Sequence, residues 1–186
     1  PQKVKPVKLG IFPFASNSNG EDLGAAPINA GMEMTKQLSS LPAFEVIDAN
    51  QFDKMISSAK LIPKIIASKG WFDTDINDFV DVIAMGSVSK DSEGEYIIET
   101  KFYSRFGKIV LSQIETAKNA NKIDVASKKI SMQILEKFPF EGHVLNEKEN
   151  KAVKINLGKE PFQLEAGAEL KVVRPKFDRK GIIEGY

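Results

Sequence analysis

The chain opens with an apolar run, Val7 to Phe14 (VKLGIFPF), that reads as a strand, with Pro13 forcing its exit. A polar loop follows, and Pro27 then suits a first helical position. Ile28, Met32, Thr35 and Leu38 recur at helical spacing, so residues 26–40 are expected to form an amphipathic helix with those side chains inward. Pro42 ends it, and "FEVID" (Phe44 to Asp48) is a short strand. Asp48 is placed to cap a second helix, with Gln51 three residues on as its capping-box partner. Phe52, Met55, Ile56 and Ala59 supply that helix with a buried stripe.

Residues 61–80 have no clean period. Pro63 and Gly70 interrupt them, and short helical turns are expected around Trp71 and Phe72. From Val82 to Ser89 the chain is nearly continuously apolar at first, the mark of a central strand covered on both faces. "KDSEGE" is a turn. "YIIETKFYSR" alternates, with Tyr96, Ile98, Thr100 and Phe102 on one face and Ile97, Glu99, Lys101 and Tyr103 on the other. A turn at Phe106-Gly107 returns into "KIVLSQIETA", which completes an antiparallel meander. Ile123, Ala126, Ile130, Ile134 and Phe138 then mark a last helix, closed by Pro139. Beyond it the texture changes to short strand-like pieces between charged or Gly-containing turns.

The fold class this order predicts is α/β (α+β-like): a mixed β-sheet with an antiparallel meander, flanked by helices, plus a small all-β C-terminal module. A doubly wound parallel sheet would need crossover helices between the later strands, which are joined by turns instead. The expected division is an α/β domain over 1–140 and a small β module over 141–186 that is either incomplete or leans on the first domain to cover its edge.

Composition narrows the chemistry. The 186 residues are 42% hydrophobic and 27% charged, an ordinary globular balance, and the formal net charge of +1 favours neither nucleic acid nor an anionic membrane in bulk. Cysteine is absent, which excludes thiolate metal sites, disulfides and cysteine nucleophiles. A single histidine, His143, leaves little for a His-rich metal site or a Ser-His-Asp triad. No apolar stretch of ~18 residues is present, so no transmembrane segment is expected. The start, "PQKVKPVKLG", has neither an initiating Met nor a signal-type segment, and it is read as a mature or trimmed product whose targeting segment lies outside.

The stretch "LGIFPFASNSNGEDLG" has the order of a phosphate-binding loop, strand then glycines then helix. Its glycines are Gly20 and Gly24, with the carboxylates of Glu21 and Asp22 between them, and no Lys follows. Charge therefore favours a solvated connection over a nucleotide site. Asp73, Asp75 and Asp78 have D-x-D spacing but lack the Gly and distal Glu of an EF-hand, so a capping role for Asp73 or Thr74 at the head of the 75–80 turn is expected instead. Phe102, Tyr103 and Phe106 around Arg105 could stack bases, but the alternation puts Phe102 in the core and the charge balance opposes nucleic acid. His143 opens a strand without partners in sequence, and "KVKPVK" is too interrupted for a nucleic-acid arm. No catalytic residue, metal site or cofactor is expected.

The order of motifs over 7–138 resembles a family of envelope modules: the curli-secretion lipoprotein CsgG, the N-terminal domain of TolB, the penicillin-binding-protein activator LpoB and the middle domain of FlgT. The matches are Pro13-Phe14 at the end of the first strand, then Asp81, Val82, Ile83 and Gly86, then Gly107, Ile109 and Val110. The tail is similar to the SH3-like module of FlgT-type proteins at Gly142 and Val144, Ile155 to Gly158, and Gly167, Leu170 and Val172. The long amphipathic hairpins of the curli channel have no counterpart, so no pore is expected.

The resemblance implies a non-enzymatic cell-envelope accessory or assembly protein, periplasmic or outer-membrane-associated, acting on protein partners and not on nucleic acid. Flagellar or secretion assembly is the first reading and activation of a peptidoglycan synthase the second. Its rivals are a nucleotide- or metal-binding domain using the 15–24 loop and a solute sensor with its ligand between the domain and the tail. The expected contact residues are Asn17, Asn19, Glu21 and Asp22 in the opening loop, Trp71 and Phe72, and Ile182 and Ile183 at the terminal edge. The oligomeric state is left open.

Overall fold

The structure is a computed structural model that describes residues 6–17 and 22–138, together with the backbone of four short strands after them. In the first segment the order is β1 (Val7–Ile11), β2 (Ala15–Ser16), α1 (Ala26–Ser39), β3 (Phe44–Val46), α2 (Ala49–Ser58), α3 (Pro63–Lys69), β4 (Val82–Lys90), β5 (Tyr96–Ser104), β6 (Ile109–Ala117) and α4 (Ile123–Lys137). Single 3-10 turns at Asp75–Asp78 and Ala120–Lys122 lead into β4 and α4.

The six-stranded sheet runs β3-β1-β4-β5-β6, with β2 also on β4. β1 is parallel to both β3 and β4, while β4, β5 and β6 are joined antiparallel. The mixed sheet, its meander and its flanking helices are those expected. One difference lies at the start: the expected strand 7–14 ends at Ile11, and a two-residue strand, β2, follows in what is expected to be loop. Phe12 still donates its N–H to Ala84 (2.9 Å), but Pro13 has no N–H to give, and the chain rejoins β4 only where Ala15 meets Ser87.

Helices cover both faces of the sheet. On one face α1 and α4 pack on Leu9, Val82, Ala84, Val88, Ile98 and Phe102. On the other, Phe52 and Ile56 of α2, Ile66 of α3, Trp71 and Ile76 pack on Ile83 and Tyr103. The expected stripes of α2 and α4 are both inward: Phe52, Ile56, Ile123, Ala126, Ile130, Ile134 and Phe138 are buried, with Met55 and Ala59 packed at the margin. Asp48 caps α2 as expected, accepting from the N–H of Asn50 (3.0 Å) and Gln51 (3.1 Å).

The expected stripe of α1 is corrected. Of that stripe Leu38 is buried, but Ile28 and Met32 are 64% and 67% exposed, and Ala26, Pro27, Ala30 and Met34 complete the inward face. Small side chains at positions 26 and 30 let the helix lie close to the sheet, and the large ones half a turn away face outward. The 75–78 turn is a second correction. No side chain caps it; the Thr74 hydroxyl instead donates to the carbonyl of Trp71 at 2.7 Å.

After residue 138, strands β7 (Val144–Glu147) and β8 (Val153–Ile155) form one antiparallel pair, and β9 (Lys176–Phe177) and β10 (Ile183–Gly185) another. Gly142, His143, Gly158, Gly167, Leu170, Val172 and Ile182 lie outside the described residues, as do Gly20 and, in the opening loop, Asn19 and Glu21. Among the described residues, no helix is long and apolar enough to cross a membrane.

Candidate contact surface

The best-built exposed feature is a corner where the β5–β6 turn meets the segment after α3. α3 starts on Pro63 and stops at Gly70, whose φ of +71° turns the chain sharply. A Cβ there would strike the carbonyl of Arg105, and that carbonyl accepts from the N–H of both Trp71 (2.8 Å) and Phe72 (3.0 Å). Gly107, at φ +74°, makes the reciprocal approach: its Cβ would lie 2.7 Å from the carbonyl of Ile66. Two glycines thus let two backbones touch.

Side chains lock the same corner. The Arg105 guanidinium donates from Nη2 to Oδ1 of Asp81 at 3.0 Å. Oδ2 of Asp81 accepts from the backbone N–H of Lys8 (3.0 Å), and the N–H of Asp81 donates to the Lys8 carbonyl (2.9 Å). The pair is partly solvated and worth little in net energy. Its geometric effect is to tie the turn to the start of β1 and β4.

Trp71 is the anchor and not the contact. It was expected at the surface; it is 1% exposed, and its indole N–H donates to the carbonyl of Val80 at 3.0 Å. An indole on an irregular segment is buried here because the segment crosses a sheet face that Ile83 and Tyr103 leave open. Phe72, its neighbour, points the other way. It is 40% exposed and stacks on Phe106, 49% exposed, with ring centroids 4.8 Å apart and planes at 29°. Phe79 is exposed nearby in sequence and borders a shallow groove of about 470 Å³ between α2 and the 73–79 segment. Asp73 and Asp75 line that groove. Among the described residues, no group of three His, Cys, Asp or Glu side chains is placed to hold a metal ion.

Phe106 is the residue that sequence reasoning considered for another role, base stacking, and set aside. Its partner Phe72 is 34 positions away, so no local pattern could pair them. The signal available was indirect: Gly70 and Gly107, each next to an aromatic.

The opening loop is elsewhere. Asn17 is exposed and donates its backbone N–H to the Val88 carbonyl (2.8 Å), near the far end of β4 from Asp81 and Arg105. β4 has nine residues, so the two ends are about 26 Å apart at ~3.3 Å per residue. Asp22 is exposed too, and its carboxylate accepts from the N–H of Gly24 at 2.8 Å. That places a negative charge on the approach to α1, where a phosphate would have to sit. Leu23 between them is buried and pins the loop to the core. Ile183 sits opposite Phe177 in the β9–β10 pair. Among the described residues expected at the contact, Trp71 and Phe72 belong to the aromatic corner, the first buried and the second exposed, while Asn17 and Asp22 lie elsewhere.

No family model and no curated protein matches the chain. Solved structures resemble it at low identity. Lipoprotein GNA1162 from Neisseria meningitidis is 14% identical over 69% of this chain and 96% of that one, with a TM-score of 0.49. The LpoB C-terminal domain from Escherichia coli is 16% identical over 62% and 85%, with a TM-score of 0.46. TolB from Acinetobacter baumannii is 13% identical over 70% of this chain and 28% of its own, with a TM-score of 0.40. LpoB and TolB, two proteins already named from the motif order, thus stand among the structural neighbours of this chain.

Proposed function

We propose that the chain is a non-enzymatic accessory or assembly protein of the bacterial cell envelope that works through protein–protein contacts. The observation that carries this reading is the Phe72–Phe106 stack. Two large apolar rings are held outward by a backbone and ion-pair framework, and burying the exposed half of each against a partner is worth on the order of 1 kcal/mol per ring. The envelope assignment draws its support from the motif order at Pro13-Phe14, Asp81–Gly86 and Gly107–Val110. The FlgT-like pattern of the tail supports flagellar or secretion assembly as the first role, with residues 1–140 and 141–186 as two units. Activation of a peptidoglycan synthase, as in LpoB, is the alternative.

The test places a photo-crosslinking phenylalanine analogue at position 106 of the full chain in intact cells. Capture of an envelope assembly component is the expected outcome. Recovery of cytoplasmic enzymes alone would overturn the location. Exchanging residues 141–186 for an unrelated β module should abolish a flagellar or secretion role and leave synthase activation intact.

A further inference from the structure

The sheet has one long free margin. Strand β6, nine residues from Ile109 to Ala117, pairs with β5 on one side, and among the described residues no strand pairs with the other. Such an edge offers a row of unpaired N–H and C=O groups, and folded proteins normally blunt it with Pro, inward charge or a covering element. β6 has no Pro, and its one irregularity, the register shift beside Tyr103, lies at its first turn. Its two faces differ. Toward α4, Glu115 accepts from Nε2 of Gln133 (2.8 Å) and lies 3.9 Å from the Lys129 ammonium, while Gln113 accepts from Lys137 (3.5 Å). On the open face Ile109 and Ile114 are exposed.

The charge around this margin is one-sided. Lys108 and Lys118 flank the strand, and Lys122, Lys129 and Lys137 lie along the adjoining flank of α4 by helical spacing. Against five cations stand Glu115, engaged with Gln133 and Lys129, Glu136 on that same flank, and Glu99, which lies opposite Ile114 on β5 and is paired with Lys101. The chain as a whole is at +1, so this is a local excess.

We infer that β6 is a docking edge for an extended segment of a protein partner, added as a further strand, with acidic side chains toward the lysines and apolar ones over Ile109 and Ile114. Main-chain hydrogen bonds supply the affinity and the alternating side chains the selectivity. The inference deepens the contact reading and rests on it for the existence of a partner: Ile109 follows Phe106 by three residues, so a strand along β6 ends against the aromatic corner.

The probe is a nine-residue peptide of alternating valine and glutamate, added to the full chain, with a copy N-methylated at alternate amides as control. Hydrogen exchange should slow by about tenfold or more at alternate amides of residues 109–117, and only with the unmethylated peptide. The double variant Lys108→Glu, Lys118→Glu alters two side chains outside the core and should weaken binding by about tenfold at low salt while its circular dichroism stays unchanged. Unchanged exchange across β6 at saturating peptide, or equal binding of the methylated copy, would overturn the edge assignment. If crosslinks at position 106 still capture a protein in that case, the contact reading stands and the edge inference alone falls. If β6 is protected but position 106 captures nothing, β6 is a docking edge and the aromatic corner is not the contact.

Discussion

The ring of Phe14 lies directly on Gly86, so close that a Cβ at Gly86 would overlap it, and Gly31 of α1 closes over the same ring with its Cβ position 3.3 Å from Cδ1. A strand ending, a strand centre and a helix thus meet at one aromatic side chain. The sheet repeats this on its other face, where Phe52 of α2 lies on Gly10. Two of the positions that carried the family resemblance, the Phe of the Pro-Phe pair and Gly86, are the two halves of one contact.

Replacing either half should therefore cost stability in a way the other can relieve. Phe14→Ala removes a buried ring and is expected to cost about 3 kcal/mol or more. Gly86→Ala forces the ring out of its notch and should cost about 1–3 kcal/mol. In the double variant the alanine methyl at 86 occupies part of the space the ring vacated, so the summed costs should exceed the measured one by about 1 kcal/mol. Urea denaturation of the four proteins checks this. Strict additivity would mean that the two residues do not share the site.

Gly70→Ala tests the corner. The residue has φ +71°, and its added Cβ would meet the Arg105 carbonyl that holds Trp71 and Phe72. The Gly70 ψ of −152° puts it in a region open essentially to glycine alone, so strain of about 1–3 kcal/mol is expected from the backbone, with more from the lost hydrogen bonds. The loss should show in the near-ultraviolet signal of Trp71 before global unfolding. Gly94→Ala is the comparison: it too has a positive φ, +82°, but its added Cβ meets no atom within 4 Å, so a smaller loss is expected.

How far these features were legible follows from their range. β5 and α4 announce themselves because each carries its own period, alternation centred on 98–102 or apolar residues every three to four at 123–138, and β4 does so by its apolar run. α1 keeps Leu38 of its expected stripe inward but turns Ile28 and Met32 out, because its inward face is built from alanines with Met34 and Leu38. Residues 61–80 have no period, and whether Trp71 or Phe72 turns inward depends on Val80, Ile83, Tyr103 and Arg105, brought there by the sheet. The Phe72–Phe106 stack is of that kind. The charge argument against a phosphate in the opening loop needed only neighbours, and the Asp22 carboxylate on the Gly24 N–H accords with it.

A small alkaline effect is expected at the open face of β5. Lys101 donates to Glu99 at 2.9 Å, and its pKa is raised above 10.5, first by that hydrogen bond, with burial opposing and the charge of Glu99 adding. A raised folded-state pKa means the contribution is complete below the unfolded value and lost as pH rises through the folded one. Both side chains are about one-third exposed, so solvent screens the pair and the effect is small. Stability measured between pH 9 and 12 should fall slightly less for Glu99→Gln than for the unaltered chain; an identical decline would show that the pair contributes nothing.

The aromatic corner separates folding from contact more cleanly. Phe72 and Phe106 each have about half their surface in water, and their mutual stacking is worth on the order of 1 kcal/mol. Phe106→Ser should therefore lower the urea midpoint only slightly, since the turn is held by Gly107, the Arg105 carbonyl and the Asp81 pair and not by the ring. Partner capture through the corner should fall by about tenfold or more, because an aromatic anchor lost from an interface costs roughly 2 kcal/mol. Trp71→Phe is the opposite case. It leaves the surface rings in place but strips the hydrogen bond from the buried Val80 carbonyl, so it should reduce stability by about 1–3 kcal/mol and leave capture by the folded fraction unchanged. If Phe106→Ser instead unfolds the chain and Trp71→Phe abolishes capture in a fully folded protein, the roles assigned to the two aromatics are reversed.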